Sequence, residues 1–210
     1  MIEIREIKNK TEHDLLSIEK NAPFTQAWFY GEWQESMGRK VRRFEIKNNS
    51  EILGFFQIIK YPLMFGLNIL YIPHGPVLKE MNLYDEFLKT FSKNLIQIAQ
   101  EENAIFARFD PVGALGLPAK FDFYFKKVPP YAYYSVYFQP KYEWVLNIDQ
   151  PESKLFNDIP RKSRYDIHFA ENRGVVIEVV DDNLNKYFED FYSLLSETAK
   201  RNNFSLHQKI

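Results

Sequence analysis

The sequence has no cysteine, so it cannot supply a thiol nucleophile, a thiolate metal ligand or a disulfide cross-link, and this usage is typical of a cytoplasmic protein. Its four histidines include no pair at the i, i+4 spacing of a helical metal site, and its eight glycines form neither a G-x-G-x-x-G nor a P-loop pattern. A G-x-S-x-G nucleophile elbow is also missing. We therefore expect no metal and no cofactor, and the usual motifs of NTPases, dinucleotide oxidoreductases and serine hydrolases are absent.

Long hydrophobic runs and an excess of one charge are missing as well. No stretch approaches the roughly 18 apolar residues that span a bilayer, and the first residues lack the apolar core of a signal peptide. Lys and Arg total 27 against 28 Asp and Glu, a net charge of -1, so no global field favours nucleic acid. The sequence predicts a cytoplasmic protein and leaves peripheral contact with the inner membrane face open.

Apolar and aromatic residues are abundant, at 45% and 17% of the sequence, which is enough for a large folded core. Their spacing predicts strands and helices in the first part of the chain. The predicted strands are residues 2–7, 40–48, 51–62, 67–73 and 104–112, and the predicted helices are 11–20, 27–38 and 82–100. This order predicts a mixed α/β fold, with helices packed on a mixed sheet.

Residues 113–140 are rich in proline and aromatic residues and interrupt this order, so we expect a domain boundary near Pro140. A second series then predicts a strand at 142–148, a helix over 153–172 that Pro160 starts or kinks, a strand at 174–180 and a helix over 182–201. The predicted domains are residues 1–140 and 141–210. Two strands and two helices cannot easily cover their own apolar faces, so we expect the second domain to be incomplete.

Two short stretches combine residue types that bind ligands. "YIPHGPV" (residues 71–77) places prolines, a histidine and a glycine after a strand, which fits a rigid ligand-binding loop or a plain strand-terminating turn. "RKSR" (residues 161–164) concentrates positive charge, and Arg161, Arg164 and His168 share about one helical face. That face fits phosphate binding and a solvated surface equally well.

Six stretches occur in the order and approximate spacing seen in one protein family: "FTQAWFYGEWQ", "YIPHGPV", "RFDP", "QPKYEWVLNI", "RKSRYDIHFAENRGV" and "ETAKRNNFSLH". On these residues the chain resembles the FemABX family of peptidoglycan bridge-forming aminoacyltransferases. The resemblance implies tandem GNAT-like α/β domains of the acetyltransferase type, the second incomplete here. It also implies transfer of an amino acid from aminoacyl-tRNA to the stem-peptide amine of a peptidoglycan precursor, in cell wall biogenesis.

Carried over residue by residue, the resemblance implies substrate-binding positions and leaves the catalytic residues unidentified. Gln34 lies where the family has a phosphate-binding lysine, and His207 lies where it has an arginine with a similar task. His74 lies where relatives have a basic residue, and Tyr71 matches the family pattern. Because histidine carries a weaker, pH-dependent charge, the precursor partner is left open between a lipid-linked and a UDP-linked form.

Three further residues belong to matching stretches. Arg108 and Asp110 alternate on a predicted strand and fit either a site or a structural role. Arg164 belongs to the matching basic segment, whose implied role is contact with precursor or tRNA. The implied substrate-binding residues are therefore Gln34, Tyr71, His74, Arg164 and His207.

Two other classes stay as alternatives. An acyl-CoA-dependent GNAT N-acetyltransferase shares the implied fold, but its pyrophosphate-binding loop, Arg or Gln followed by x-x-G-x-G/A, is absent from the sequence. A non-catalytic module that binds cell-wall precursor is the other alternative. Because family members are longer, we expect this chain to be an N-terminal portion that binds precursor weakly and catalyses no transfer alone.

Overall fold

The computed structural model describes residues 1–13, 22–79, 84–111, 124–126, 139, 144–180 and 184–206. The chain divides into two compact units, Met1–Tyr142 and Glu143–Ile210. The domain limits inferred from the sequence, 1–140 and 141–210, stay a prediction.

A mixed sheet forms the first unit. In the part of the chain that the structure describes, its strands are β1 (Ile2–Ile7), β2 (Lys40–Asn48), β3 (Glu51–Pro62), β4 (Asn68–Ile72), β5 (Val77–Leu78) and β6 (Ala104–Phe109). They lie in the order β1-β2-β3-β4-β6, with β5 beside β3. All neighbouring strands are antiparallel except β4 and β6, which are parallel. The predicted mixed α/β fold is confirmed, and β2 and β3 match the predicted strands residue for residue.

One face of this sheet carries the apolar core. Helices α1 (Trp28–Ser36) and α2 (Tyr84–Glu101) belong to the same unit, and α2 covers this face with its own apolar stripe. The ring of Phe91 lies between those of Phe56 and Phe87, at centroid distances of 5.2 and 5.1 Å. Burying such a side chain contributes about 1.5–3 kcal/mol. The core residues are Ile2, Phe44, Ile46, Phe56, Ile58, Leu70, Ile72, Phe87, Leu88, Phe91, Leu95 and Ile98.

The opposite face of the sheet is more polar and faces α1. The guanidinium carbon of Arg43, on β2, lies 4.2 Å from the ring centroid of Trp28, and its terminal nitrogens donate to the Glu35 carboxylate at 3.1 and 3.2 Å. A Cβ added at Gly31 would overlap the Arg43 guanidinium and the Gln57 side chain. Glycine at this position therefore lets α1 lie close to the sheet.

A buried carboxylate ties the end of α2 to two strands. Glu102 is 5% exposed, and its oxygens bond to the Lys40 and Lys60 ammonium groups at 2.5 and 3.1 Å. Burial disfavours the charged carboxylate, but the hydrogen bonds from the two lysines outweigh that effect and lower the pKa of Glu102. The Glu102 carboxylate therefore stays charged at neutral pH.

The second unit is helical where the structure describes it, with α3 (Glu152–Asp158), α4 (Arg161–Asn172) and α5 (Leu184–Asn202). Pro160 directly precedes α4, so the predicted break at this proline is confirmed. The strands predicted at 142–148 and 174–180 are wrong for their described residues, which have no strand pairing. Trp144 and Ile177 are 96% and 87% exposed. A strand needs the hydrogen-bonding groups of a neighbour, and neither segment has a paired strand within the described residues.

None of the described helices is both long enough and apolar enough to cross a bilayer.

Candidate functional site

Strand β4 does not run regularly into β5. Tyr71 lies opposite Ile59, and Val77 lies opposite Phe55, so the five residues 72–76 lie across from only three residues of β3. The two extra residues are accommodated in the loop 73–76, called the site loop below, which interrupts the backbone hydrogen bonds along β3. A polar opening in the sheet results.

The side chain of Gln26 fills this opening. It is fully buried. Its Oε1 accepts the Gln57 backbone N–H at 2.9 Å, and its Nε2 donates to the Pro73 carbonyl at 2.6 Å. One side-chain amide thus supplies the acceptor and the donor that a neighbouring strand would supply. Gly75 packs against it, since an added Cβ there would lie 2.7 Å from Gln26 Nε2.

Further hydrogen bonds attach the 3₁₀ turn Phe24–Gln26 to the sheet. Gln57 Nε2 donates to the carbonyls of Thr25 and Ala27 at 2.6 and 3.1 Å. The Thr25 hydroxyl donates to the Pro73 carbonyl at 3.2 Å and lies 3.2 Å from His74 Nδ1. Both the turn and the site loop are therefore held by side chains that point away from the apolar core.

Asp110, directly after β6, holds the site loop from the other side. Its Oδ2 accepts the Tyr71 hydroxyl at 2.7 Å, and its Oδ1 accepts the His74 backbone N–H at 2.8 Å. We call these three residues the Asp110 cluster. His74 has a left-handed backbone with φ 52°, a conformation that residues with a Cβ rarely adopt. The hydrogen bond that its N–H donates to Asp110 therefore stabilises this turn. Because β4 and β6 are parallel, their carboxyl ends meet at one sheet edge, which brings Tyr71 and Asp110 together across 39 residues.

The electrostatics of the cluster favour a protonated tyrosine beside a carboxylate. Burial raises the pKa of Tyr71 well above its usual range, and the hydrogen bond to Asp110 raises it further. Tyr71 therefore acts as a hydrogen-bond donor over the whole physiological pH range. Its side chain and that of His74 are buried, whereas Asp110 is only half-buried.

Gln34 lies on the same face of the unit. It was predicted to bind substrate, but in the structure it bonds to a neighbouring arginine. Its side chain is buried, and its Oε1 accepts Arg39 Nη1 at 2.5 Å. The Arg39 guanidinium carbon lies 4.8 Å from the Tyr61 ring centroid, and the Tyr61 ring lies 6.4 Å from that of Tyr71. Gln34 thus carries no charge itself but orients an arginine whose stacking partner neighbours the Asp110 cluster.

The remaining predicted residues belong to the second unit. Arg164 Nη1 donates to the carbonyls of Asn157 and Ile159 at 2.6 and 2.7 Å, which satisfies acceptors at the end of α3. His207 lies outside the described residues. A cavity of about 940 Å³ in this unit is lined by mostly apolar residues between Trp144 and Pro160, together with Glu152, Ser153 and Asp158. None of the predicted site residues lines it.

The sequence predicted Tyr71 and His74 as site residues. It did not predict the residues whose hydrogen bonds hold the site loop. Thr25 and Gln26 belong to the matching stretch "FTQAWFYGEWQ" but were assigned no role, and Gln57 belongs to no matching stretch. Gln57 interrupts the apolar run "GFFQII" on β3, and a polar residue inside a buried strand requires a partner. That signal could have found Gln57, although not the residue that bonds to it.

This arrangement combines a half-buried carboxylate, the hydroxyl donor that fixes it and a stacked guanidinium. Carboxylates accept hydrogen bonds from amines and peptide N–H groups, and guanidinium groups bind anions. Within the described residues, His, Asp and Glu side chains form no group of three that could hold a metal ion.

Comparisons with known proteins agree with the sequence resemblance. The model of the FemAB family matches residues 131–209. The solved structure of FemX is similar with a TM-score of 0.74 and 23% identity, over 98% of this chain and 52% of that chain. This chain therefore spans about half the length of FemX. No curated protein matches the sequence.

Two acetyltransferase structures are also similar at lower TM-scores. One, from Trypanosoma brucei, has a TM-score of 0.44 and 13% identity, over 61% of this chain and 95% of that one. The other, a ribosomal-protein-alanine N-acetyltransferase from Brucella melitensis, has a TM-score of 0.42 and 11% identity, over 70% and 98%.

Proposed function

We propose that this chain, a member of the FemABX family, forms part of an aminoacyltransferase that moves an amino acid from aminoacyl-tRNA to the stem-peptide amine of a peptidoglycan precursor. The observation that carries the proposal is the FemAB family match over residues 131–209. The site in the first unit supports it, because its groups suit a polar, charged acceptor.

In the proposed reaction the acceptor amine attacks the ester carbonyl of the aminoacyl-tRNA. The ammonium form of the acceptor first loses one proton to water. A new amide bond then forms, the ester C–O bond breaks, and the second proton lost by the amine ends on the released tRNA hydroxyl. This chemistry requires positioning, proton removal and stabilisation of the oxyanion, and it proceeds without a covalent enzyme intermediate. We assign acceptor binding, and no proton-transfer step, to the described site.

The Asp110 cluster is proposed to position the acceptor. Among the described residues, each carboxylate oxygen of Asp110 accepts one hydrogen bond, which leaves acceptor capacity on both oxygens. The side chain is half-buried and thus reachable from solvent. A stem-peptide amine is a cation before it reacts, so a carboxylate fixed by Tyr71 and His74 favours its binding at one place.

Arg39 is proposed as the cation that binds precursor phosphates. The family resemblance places a phosphate-binding lysine at position 34, where this chain has an uncharged glutamine. Gln34 instead orients Arg39 through the 2.5 Å hydrogen bond, and a guanidinium matches phosphate geometry well. For Arg164 and His207, contact with precursor or tRNA rests on the family resemblance alone.

Calorimetric binding of a UDP-linked stem-peptide precursor to this chain tests the acceptor site. We expect weak binding that Tyr71→Phe lowers about tenfold, because the variant loses a hydrogen bond that fixes Asp110. Tyr187→Phe is the matched control, since its hydroxyl also donates to a carboxylate, that of Glu178 at 3.1 Å. We expect this variant to bind like the wild type.

Transfer of a labelled amino acid from charged tRNA is measured with the same precursor and its lipid-linked form. We expect no product from this chain alone, because it spans about half of FemX. Failure to bind either precursor form would contradict the proposal. Protection by acetyl-CoA in a thermal shift assay, without precursor binding, would favour the acyl-CoA-dependent acetyltransferase instead.

A further inference from the structure

The connection between β3 and β4 exposes apolar side chains. Residues 63–67, called the hairpin tip below, have the sequence LMFGL and carry no charge. Met64 and Phe65 are 73% and 91% exposed, and Leu63 and Leu67 are partly exposed beside them. A contiguous apolar surface of this kind on a turn is unusual and marks an interaction site.

The hairpin tip is an ordered turn closed by its own hydrogen bonds. The Leu63 N–H donates to the Leu67 carbonyl at 2.8 Å, and the Leu67 N–H donates to the Met64 carbonyl at 3.3 Å. Asn103 Nδ2 donates to the Gly66 carbonyl at 2.8 Å. Backbone groups that enter an apolar medium must be satisfied inside the protein, and much of this turn meets that requirement.

The backbone of the turn displays the phenylalanine to the outside. Phe65 and Gly66 are both left-handed, with φ 61° and 72°. Only glycine adopts this region without steric cost, so the phenylalanine is held there against its preference. Burial in the core of this unit does not offset that cost, because the ring remains almost fully exposed.

Two lysines lie at the same end of the sheet as the hairpin tip. Lys60 lies two residues before Pro62, the last residue of β3, and Lys40 is its direct neighbour on β2. Lys40 is 58% exposed and Lys60 28%, whereas the carboxylate that both lysines share, Glu102, is buried. Arg42 on β2 is largely buried and pairs with Glu6 and Glu101 at 2.6 and 2.7 Å. The two lysines and Glu102 together carry one net positive charge, exposed at Lys40, and this charge complements an anionic surface.

We propose that the hairpin tip inserts into the interfacial region of an anionic lipid bilayer, with Lys40 and Lys60 contacting the headgroups. A small apolar tip below basic side chains suits this interface, because the apolar part leaves water while the ammonium groups meet negative charge. The five residues of β4 lead from the tip to the site loop and span about 15 Å. The Asp110 cluster then lies within reach of groups that project from the membrane surface.

Site-specific labelling gives the first test. Because the chain has no cysteine, Met64→Cys provides a single position for an environment-sensitive fluorophore. Ile96→Cys is the matched control, since Ile96 is also apolar and 60% exposed but lies on α2. With phosphatidylcholine vesicles containing one quarter phosphatidylglycerol, we expect a blue shift and quenching by spin-labelled lipid at position 64 and no change at position 96.

Vesicle sedimentation with unlabelled protein gives the second test. The double variant Met64→Ser and Phe65→Asn keeps the fold, because asparagine tolerates the left-handed region. We expect it to bind the same vesicles at least about tenfold more weakly than the wild type. Ile96→Gln should bind like the wild type, and added salt should weaken wild-type binding.

Both measurements omit tRNA and precursor, so their outcome is independent of the proposed reaction. Equal responses at positions 64 and 96, or equal vesicle binding by the double variant and the wild type, would overturn the lipid proposal. A concentration-dependent dimer that the double variant loses, with no response to vesicles, would also overturn it and would assign the hairpin tip to a second copy of the chain.

Discussion

Replacing Gln26 by leucine is expected to destabilise the first unit strongly, although the two side chains have similar volumes. Leucine removes the acceptor of the Gln57 N–H and one of the two donors to the Pro73 carbonyl, which keeps the Thr25 hydroxyl. Both of these backbone groups belong to buried residues. A buried polar group left without a partner costs about 1–3 kcal/mol, and a lost hydrogen bond costs about 0.5–1.5 kcal/mol. The two effects together predict a loss of about 1.5–4.5 kcal/mol, a large share of the roughly 5–15 kcal/mol that stabilises a typical protein.

Urea denaturation and thermal unfolding measure this loss. For a unit of this size, each kcal/mol lowers Tm by about 4 °C, so we expect a decrease of about 6–18 °C. Gln97→Leu is the matched control, because Gln97 is exposed on α2 and bonds only to a neighbouring carboxylate side chain in the described contacts, that of Glu101 at 2.9 Å. The control should change the free energy of unfolding by less than about 0.5 kcal/mol.

The refuting result is a small effect. If Gln26→Leu lowers the free energy of unfolding by less than about 1 kcal/mol with an unchanged urea dependence, the Gln57 amide finds another partner. Gln26 would then not be what holds the site loop to the sheet.

Two further perturbations test other parts of the first unit. Because Lys40 and Lys60 lower the pKa of Glu102 in the folded state, its stabilising contribution is present above the unfolded-state pKa of about 4.3 and is lost as the pH falls further. Urea midpoints from pH 7 to pH 3 should therefore decline less steeply for Glu102→Gln than for the wild type, and parallel profiles would contradict this account. Gly75→Ala should destabilise the unit by about 1–3 kcal/mol, since the new methyl group meets the Gln26 side chain. An unchanged Tm for this variant would show that the loop moves aside without cost.

Local patterns predicted β2 and β3 residue for residue. The polar pair at Asn49 and Ser50 separates two apolar runs, and β2 ends directly before it and β3 begins directly after it. Of the helix predicted at 11–20, residues 11 and 12 belong to a 3₁₀ turn, Lys10–Glu12, and residues 14–20 lie outside the described part of the chain. Gly38, left-handed with φ 78°, follows the end of α1. In the second unit the same reasoning fails for the strands, because an apolar run shows only that a segment can pair. Whether a neighbouring strand is available is a property of the whole fold.

Of the candidate site, only the site loop and its neighbour Tyr71 could be predicted from the sequence. The Tyr71 and His74 stretch signals a rigid turn from its prolines and glycine, and the structure places both residues on one carboxylate. The part played by Gln26 is invisible in the sequence, because its partners lie 31 and 47 residues away. Gln34 shows the same limit, since only the structure reveals that it orients Arg39.

The bond between Gln26 and the Gln57 amide also has a consequence for motion. Amides elsewhere on β3 that bond to neighbouring strands exchange with solvent when the sheet opens, whereas that of Gln57 is released when the 3₁₀ turn leaves the sheet. Undocking of one turn costs less free energy than unfolding of the core. Deuterium exchange at this single amide therefore reports how often the site loop loses its support while the sheet beneath it stays intact.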